Sequence, residues 1–237
     1  YRQFDDDLPF WLGLAERFGD PILELGCGAG RVLLSLAGAG YQLEGIEHNQ
    51  AMLDRLAARL PAALQHRVAV RHADLRTTSL DRTYQLAIAP CNTLAEFDDE
   101  AMVDLLGRLR PHVAPQGALA FEAPPPAGAD PGTREDQVLD TFHELDHDVD
   151  VQVSADQTFD ADATRLDVVW HYDEMHDTGE TTRFDHRSRY HLRRIDRYRT
   201  LLSQAGFGPL QCFGAYDGSP FGPDSHLLLV VAGPAPS

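Results

Sequence analysis

Apolar and polar positions along the first half of the chain alternate between two periods. From Leu8 to Phe18 the residues Leu8, Trp11, Leu12, Ala15 and Phe18 recur at helical spacing, and Pro9 suits a first turn, so this stretch predicts a helix. Residues 22–25 read as a short buried strand, 31–39 as a helix ended by Gly40, and 41–46 as a second strand. Residues 50–60 place Met52, Leu53, Leu56 and Leu60 on one helical face before Pro61 stops them. Strands at 67–72 and 84–89, a helix at 100–109 and a strand at 118–122 continue the series. Strands alternating with helices predict an α/β fold with a doubly wound, mostly parallel sheet.

The pattern changes at "APPPAGADPG", where three consecutive prolines and the glycines after them can continue neither strand nor helix. Beyond it the period is two. Val149, Val151 and Val153 alternate with Asp148, Asp150 and Gln152; Val168, Trp170 and Tyr172 with Asp167, Val169 and His171. Phe184, His186 and Tyr190 fall opposite Arg183, Asp185 and Arg187. With turns at "DADAT" and "DTGE", these are expected to be antiparallel strands with one apolar face. Helical spacing returns at 195–205, and strands are expected at 210–216 and 226–232. The expected organisation is a cofactor-binding core with an N-terminal helix over 1–130, an antiparallel β insertion or lid over 131–192, and a helix and strand pair over 193–237 that complete a seven-stranded sheet.

Composition narrows the function. A chain of 237 residues with 43% hydrophobic content suits one sizeable domain with an elaboration, and no apolar run nears the roughly 18 to 20 residues of a membrane span. The formal net charge is -17, and residues 137–191 hold fourteen of the thirty-seven acids against four of the twenty basic residues. Such a surface repels nucleic acid and anionic membranes. All twenty basic residues are Arg, which excludes a Schiff-base lysine and the lysine of a P-loop. Cys27, Cys91 and Cys212 are too few and too scattered for a disulfide framework or a zinc site. The chain starts without the basic, apolar, small-residue order of a secretion signal, so the cytoplasm is the expected location, with a monomer or homodimer as the expected state.

Six of the eleven histidines, His143, His147, His171, His176, His186 and His191, lie in the insertion. His143 and His147 would be neighbours only on a helix, whereas strand patterning flanks them, so no metal site is expected.

The chemistry gathers at "LELGCGAGR". A buried strand that runs into Gly26, Gly28 and Gly30 and then directly into a helix brings bare backbone to the carboxyl edge of a parallel sheet, where ligands of such folds bind. The spacing is G-x-G-x-G, followed by Arg31 and Val32, and not the G-x-G-x-x-G of a dinucleotide cradle. This stretch resembles the first motif of the class I S-adenosylmethionine-dependent methyltransferases, and the similarity extends over nearly the whole chain. In "LEGIEHN" Glu47 stands where that family places an acidic residue, usually Asp, for the ribose hydroxyls; a carboxylate suits the task. "VRHADLR" supplies Asp74 for the adenine amino group and Leu75 beside the ring. "LAIAPCNTLAEF" resembles the fourth motif of small-molecule members and would line the methionine end with Pro90, Cys91 and Asn92. "LLSQAGF", "YDGSPF" and "SHLLLVVA" resemble the end of the same group.

The resemblance implies S-adenosyl-L-methionine as cofactor, S-adenosyl-L-homocysteine as product, and a binding set of Tyr1, Glu24, Gly26, Cys27, Gly28, Gly30, Arg31, Glu47, His48, Met52, Asp74, Leu75, Pro90, Cys91 and Asn92. Glu24 would face the amino end of the cofactor, and Tyr1 and Phe4 would close over it. The implied reaction is methyl transfer to N or O of a small-molecule acceptor, an amine-bearing metabolite or a sugar. Glu122, at the end of the fifth strand, and Tyr190 are the candidate catalytic groups, because an acceptor ammonium has to lose a proton before it attacks. Nucleobase and protein-arginine methylation are disfavoured, since "APCN" replaces the Asn/Asp-Pro-Pro-aromatic run and no paired-glutamate loop is found. Two other readings stay open: a non-catalytic protein that binds or senses S-adenosylmethionine, and an NAD(P)-linked oxidoreductase.

Overall fold

A computed structural model describes residues 5–124, 132–144, 148–160, 162 and 164–235. Its first half runs α1 (Leu8–Phe18), β1 (Ile22–Leu25), α2 (Arg31–Gly38), β2 (Leu43–Glu47), α3 (Gln50–Arg59), β3 (Val68–His72), β4 (Tyr84–Ala89), α4 (Asp99–Leu109) and β5 (Val113–Ala123). Four strands follow, β6 (Gly132–Glu144), β7 (Val149–Phe159), β8 (Arg165–Met175) and β9 (Thr181–His191), then α5 (Ile195–Gln204), β10 (Phe207–Phe213) and β11 (Leu228–Pro234). The chain divides into two compact units, Tyr1–Pro125 with Arg194–Ser237, and Pro126–Arg193.

The first unit is built on a seven-stranded sheet in the order β10-β11-β5-β4-β1-β2-β3, in which β11 runs antiparallel to both neighbours and the rest are parallel. Helices cover both faces, so β1 and β2 are buried from end to end. Side-chain parity sorts the core into two layers. Leu23, Leu25, Ala87, Ala89, Leu119 and Phe121 pack with α4 and α5 on one face. Ile22, Leu86, Ile88, Ala118 and Ala120 pack with Trp11 of α1 and Val32, Leu33 and Leu36 of α2 on the other. Asn49 and Asp98 cap α3 and α4 by accepting backbone N–H groups of the first turn. The strand order reverses between β1 and β4, which makes their carboxyl ends the topological switch point of the sheet.

Most expected elements lie within two residues of the observed bounds, and two strands differ by three or more. The fifth strand begins at Val113, five residues early, because Pro115 and Gly117 read as breakers although they lie within the strand. The strand expected at 210–216 is Phe207–Phe213, and its pairing with β11 is irregular between Phe207 and Leu210. Residues 214–216 thereby leave the sheet.

The second unit is an antiparallel sheet, β6-β7-β8-β9. Its apolar face holds Val149, Val151 and Val153 against Phe142, Trp170 and Tyr172. The opposite face is a set of cross-strand charge pairs. His171 is held between Asp185 and Asp156, at 2.7 and 3.2 Å, Arg183 grips Asp173, and Arg189 grips Asp167. His143 bonds Asp150 and Asp148. Many acids that the sequence shows as a bare negative surface are therefore paired. His147 lies outside the described residues, and among those described no three His, Cys, Asp or Glu side chains come together as a metal site. No described helix is long and apolar enough to cross a membrane.

Candidate functional site

The glycine turn begins where β1 ends. Gly26, Gly28 and Gly30 have φ of 71°, 52° and 82°, left-handed values that glycine adopts without strain. The three differ in what surrounds them. A Cβ on Gly26 would meet Thr93 at 2.8 Å and one on Gly30 would meet Leu56 at 2.9 Å, so protein fills those spaces. A Cβ on Gly28 would meet nothing within 4 Å, so this glycine borders open space. Gly30 also begins α2 without a side-chain cap, leaving the helix start to the turn itself. On β2, Gly45 lets the turn approach, since a Cβ there would lie 2.6 Å from Cys27 Sγ.

Glu47, at the end of β2, is buried and accepts three backbone N–H groups: Gly28 at 3.0 Å on Oε2, and His48 and Asn49 at 2.9 and 2.8 Å on Oε1. A carboxylate has about four acceptor positions, so one on Oε2 is left for a hydroxyl. His48 is exposed beside Glu47, and Met52 is exposed on the first turn of α3. Asp74 is half exposed; its Oδ1 accepts the Arg76 N–H at 2.8 Å and closes a turn after β3, with Leu75 buried next to it.

On the other side of the switch point, Pro90 is buried and Cys91 and Asn92 both take left-handed φ, 54° and 62°. Two successive non-glycine residues in that region store backbone strain, which clusters at functional sites. Asn92 Oδ1 and Glu24 Oε2 are buried and lack a hydrogen-bond partner among the described residues. Such orphans are costly unless something else reaches them. Burial pushes the Glu24 carboxyl up to about 8; Arg31 pulls against it, and Asp7 and Glu47 add to it.

Sheet parity places Glu24, Glu47 and Glu122 on the α1 and α2 side, the side of Ile22, Gly45 and Ala120. Glu122 Oε2 accepts the Cys91 N–H at 3.3 Å, and the Tyr216 hydroxyl donates to the same carboxylate. Burial nevertheless holds Glu122 above the usual carboxylate range. Desolvation likewise pushes Cys91 to about 11 and Cys27 higher still, so neither is a ready thiolate.

Arg31 is the cation of this cluster. Its Nη1 and Nη2 bond the two oxygens of Asp7 at 2.5 and 2.7 Å, and Nη2 lies 3.4 Å from Cys91 Sγ. Asp7 is fully buried just before α1 and also accepts Trp11 Nε1 at 2.9 Å. Burial opposes the Arg31 charge, but Asp7 and Cys91 outweigh it and raise the guanidinium further.

One unit thus gathers Glu24, Gly26, Cys27, Gly28, Gly30, Arg31, Glu47, Pro90, Cys91, Asn92 and Glu122 around adjoining strand ends, with His48, Met52, Asp74 and Leu75 along the β2 and β3 edge. Tyr1 and Phe4 lie outside the described residues. Tyr190 stands on β9 in the other unit, paired with Leu166 on its apolar face. Sequence reasoning missed Asp7 and Tyr216. "YDGSPF" marked the second as part of a motif but gave it no task.

Residues 22–117 match a family described as a methyltransferase domain. The chain is 31% identical over 111 residues to the cypemycin N-terminal methyltransferase of a Streptomyces species, which covers 46% of this chain and 44% of that protein. It is 30% identical over 102 residues to the dTDP-3-amino-3,6-dideoxy-alpha-D-glucopyranose N,N-dimethyltransferase of Streptomyces fradiae, covering 43% and 38%. The chain thus matches less than half the length of these curated relatives. Its fold is that of the CcbJ methyltransferase from Streptomyces caelestis, with a TM-score of 0.79 over 98% of this chain and 90% of that one at 21% identity. The matched segment is the one that carries the glycine turn, Glu47 and the two orphaned polar atoms at the switch point. Residues 22–117 are thus a methyltransferase domain, on a fold shared with solved methyltransferases.

Proposed function

We propose that this protein transfers a methyl group from S-adenosylmethionine to the amino nitrogen of a small molecule. The observation that carries the reading is the combination at the strand ends of open space at Gly28, the three-fold anchored Glu47 that accepts the Gly28 N–H, and Glu24 Oε2 with no partner among the described residues. Hydroxyls at Glu47 and an ammonium at Glu24 satisfy these groups, and both occur on S-adenosylmethionine. Asp74 Oδ2 and Asn92 Oδ1 would meet its adenine and methionine ends. When bound, the cofactor supplies a sulfonium methyl that is displaced in line.

The acceptor's task is to present a neutral nitrogen. Its lone pair forms the new C–N bond while the C–S bond breaks and that electron pair returns to sulfur; the nitrogen's surplus proton has to leave. Glu122 supports the amine reading, because a half-buried carboxylate held by Cys91 N–H and the Tyr216 hydroxyl can take an ammonium, orient it and accept its proton. The names of the two curated relatives point the same way, one an N-terminal methyltransferase and the other an N,N-dimethyltransferase of an amino sugar.

The test is incubation with S-adenosylmethionine carrying a labelled methyl and a panel of dTDP-3-amino sugars, N-terminally free peptides and matched hydroxyl analogues. Label on the amines alone is the expected result. Label on the hydroxyl analogues alone overturns the amine reading, and S-adenosylhomocysteine bound with no transfer to any acceptor favours the sensing protein.

A further inference from the structure

The charges buried around the glycine turn do not balance. Buried Asp7, Glu24 and Glu47 and half-buried Glu122 stand against one arginine among the described residues, Arg31. Three of the four carboxylates have their donors. Asp7 takes the Arg31 fork and Trp11, Glu47 takes three backbone N–H groups, and Glu122 takes Cys91 N–H and Tyr216. Glu24 is 3% exposed, and its Oε2 has no partner among the described residues. Its register neighbours are Gly45 on β2 and Ile88 on β4, neither of which offers a side-chain donor.

The groups that act on Glu24 come from every side of it: Asp7 before α1, Arg31 at the start of α2, Glu47 at the end of β2, and Cys27 in the turn. Arg31 favours its charge, but that guanidinium is engaged by Asp7; Asp7 and Glu47 oppose it, and so does burial. An isolated buried carboxylate in such company keeps its proton.

We propose that Glu24 is protonated in the ligand-free protein and gives its proton to solvent when the α-ammonium of the cofactor arrives, so that cofactor binding is coupled to the release of one proton. This rests on the cofactor reading above. The ammonium supplies the cation that the cluster lacks, the Glu24 O–H bond breaks, and the carboxylate left behind pairs with the incoming charge. Cofactor affinity then rises with pH. With a carboxyl near 8, release at pH 7 is about 0.9 proton per site, and affinity climbs close to tenfold per pH unit between pH 6 and 7.5 and levels off above 8.

The experiment is calorimetric titration of S-adenosylhomocysteine into the full chain at pH 7 in phosphate and in Tris, whose ionisation enthalpies differ. The difference in observed heat counts the protons. Release near one proton, with the matching pH slope in affinity, is the expected result, and Glu24→Gln abolishes both. Release below about 0.2 in the wild type with measurable binding overturns the proposal and leaves the cofactor reading standing, as does release that persists in Glu24→Gln. Absence of binding even at pH 8.5 overturns both. If Glu24→Gln does not fold, the pH slope of the wild-type affinity decides alone.

Discussion

The Asp7 to Arg31 pair ties the start of α1 to the glycine turn, and its removal is expected to be among the most damaging single changes in the first unit. Asp7 is fully buried, the Arg31 side chain is 13% exposed, and the carboxylate accepts three N–H groups. Asp7→Ala deletes the partner of a buried cation, which costs about 3–5 kcal/mol. It also strands the Trp11 indole N–H in the core, a further loss of about 1–3 kcal/mol. Asp7→Asn keeps an acceptor for Trp11 and loses only the charge, so it should cost about 3 kcal/mol. Urea unfolding followed by circular dichroism gives both numbers from the shift in midpoint. A double-mutant cycle with Arg31→Met separates pairing from packing: a true pair returns a coupling of about 2–3 kcal/mol. A cost below about 1 kcal/mol for Asp7→Ala, or no coupling in the cycle, would show that the pair is exchanged for water and that the reasoning from burial fails.

Further outcomes bear on the site and on the second unit. Gly28→Ala places a methyl in open space at φ 52°, so stability should fall by only about 1 kcal/mol while S-adenosylhomocysteine affinity, read by calorimetry, falls more than about tenfold; unchanged affinity means the space is not the cofactor's. Glu122→Gln should lower kcat/KM for an amine acceptor at least about tenfold and leave S-adenosylhomocysteine affinity within about twofold, and loss of both would make Glu122 a structural group instead. Tyr216→Phe withdraws a donor that holds Glu122 down, so the acidic limb of the kcat/KM profile should move to higher pH; a limb that stays in place removes Tyr216 from the site. His171 is raised by Asp185 and, against some desolvation, by Asp156, so its stabilising effect is complete below the unfolded histidine value and is lost as pH rises through the folded one. The urea midpoint should therefore drop between pH 6 and 8.5; Glu24 acts in the same sense, and the informative quantity is how far His171→Gln shrinks the drop.

The fold was legible wherever one period held without interruption. β1, the glycine turn and α2 announce themselves because a short apolar run, three spaced glycines and an amphipathic helix follow one another with no spare residue. β6 was missed for a physical reason. Its pairing with β7 shifts register between Arg134 and Gln137 and again between Val138 and Asp140, and each bulge resets which residues share a face. Val138, Leu139 and Phe142 thus show no alternation along the sequence although they belong to one strand. Tyr216 escaped because the strand before it ends three residues earlier than its apolar pattern suggests, which puts the ring in a loop. Asp7 escaped because "DDDLPF" reads as a solvated acidic helix start, and nothing local says that the third Asp turns inward to a residue 24 positions away.

The site's electrostatics lay within reach of the sequence all the same. Strand alternation assigns Ile22 and Glu24 to one face of β1, Leu43 and Glu47 to one face of β2, and Ala120 and Glu122 to one face of β5, and the apolar member of each pair packs in the same layer. Three carboxylates at the carboxyl ends of buried strands, all on one side of one sheet, could have been read from parity alone. The fourth, Asp7, adds to them and occupies Arg31. A protein does not bury that much like charge for stability, because each uncompensated ion is expensive and an apolar replacement is cheaper. The imbalance makes sense if the missing positive charge arrives from outside, and S-adenosylmethionine brings one in net, an ammonium and a sulfonium against its own carboxylate. On that reasoning the pocket's design is least favourable when empty, and the proton on Glu24 is what makes the empty state tolerable.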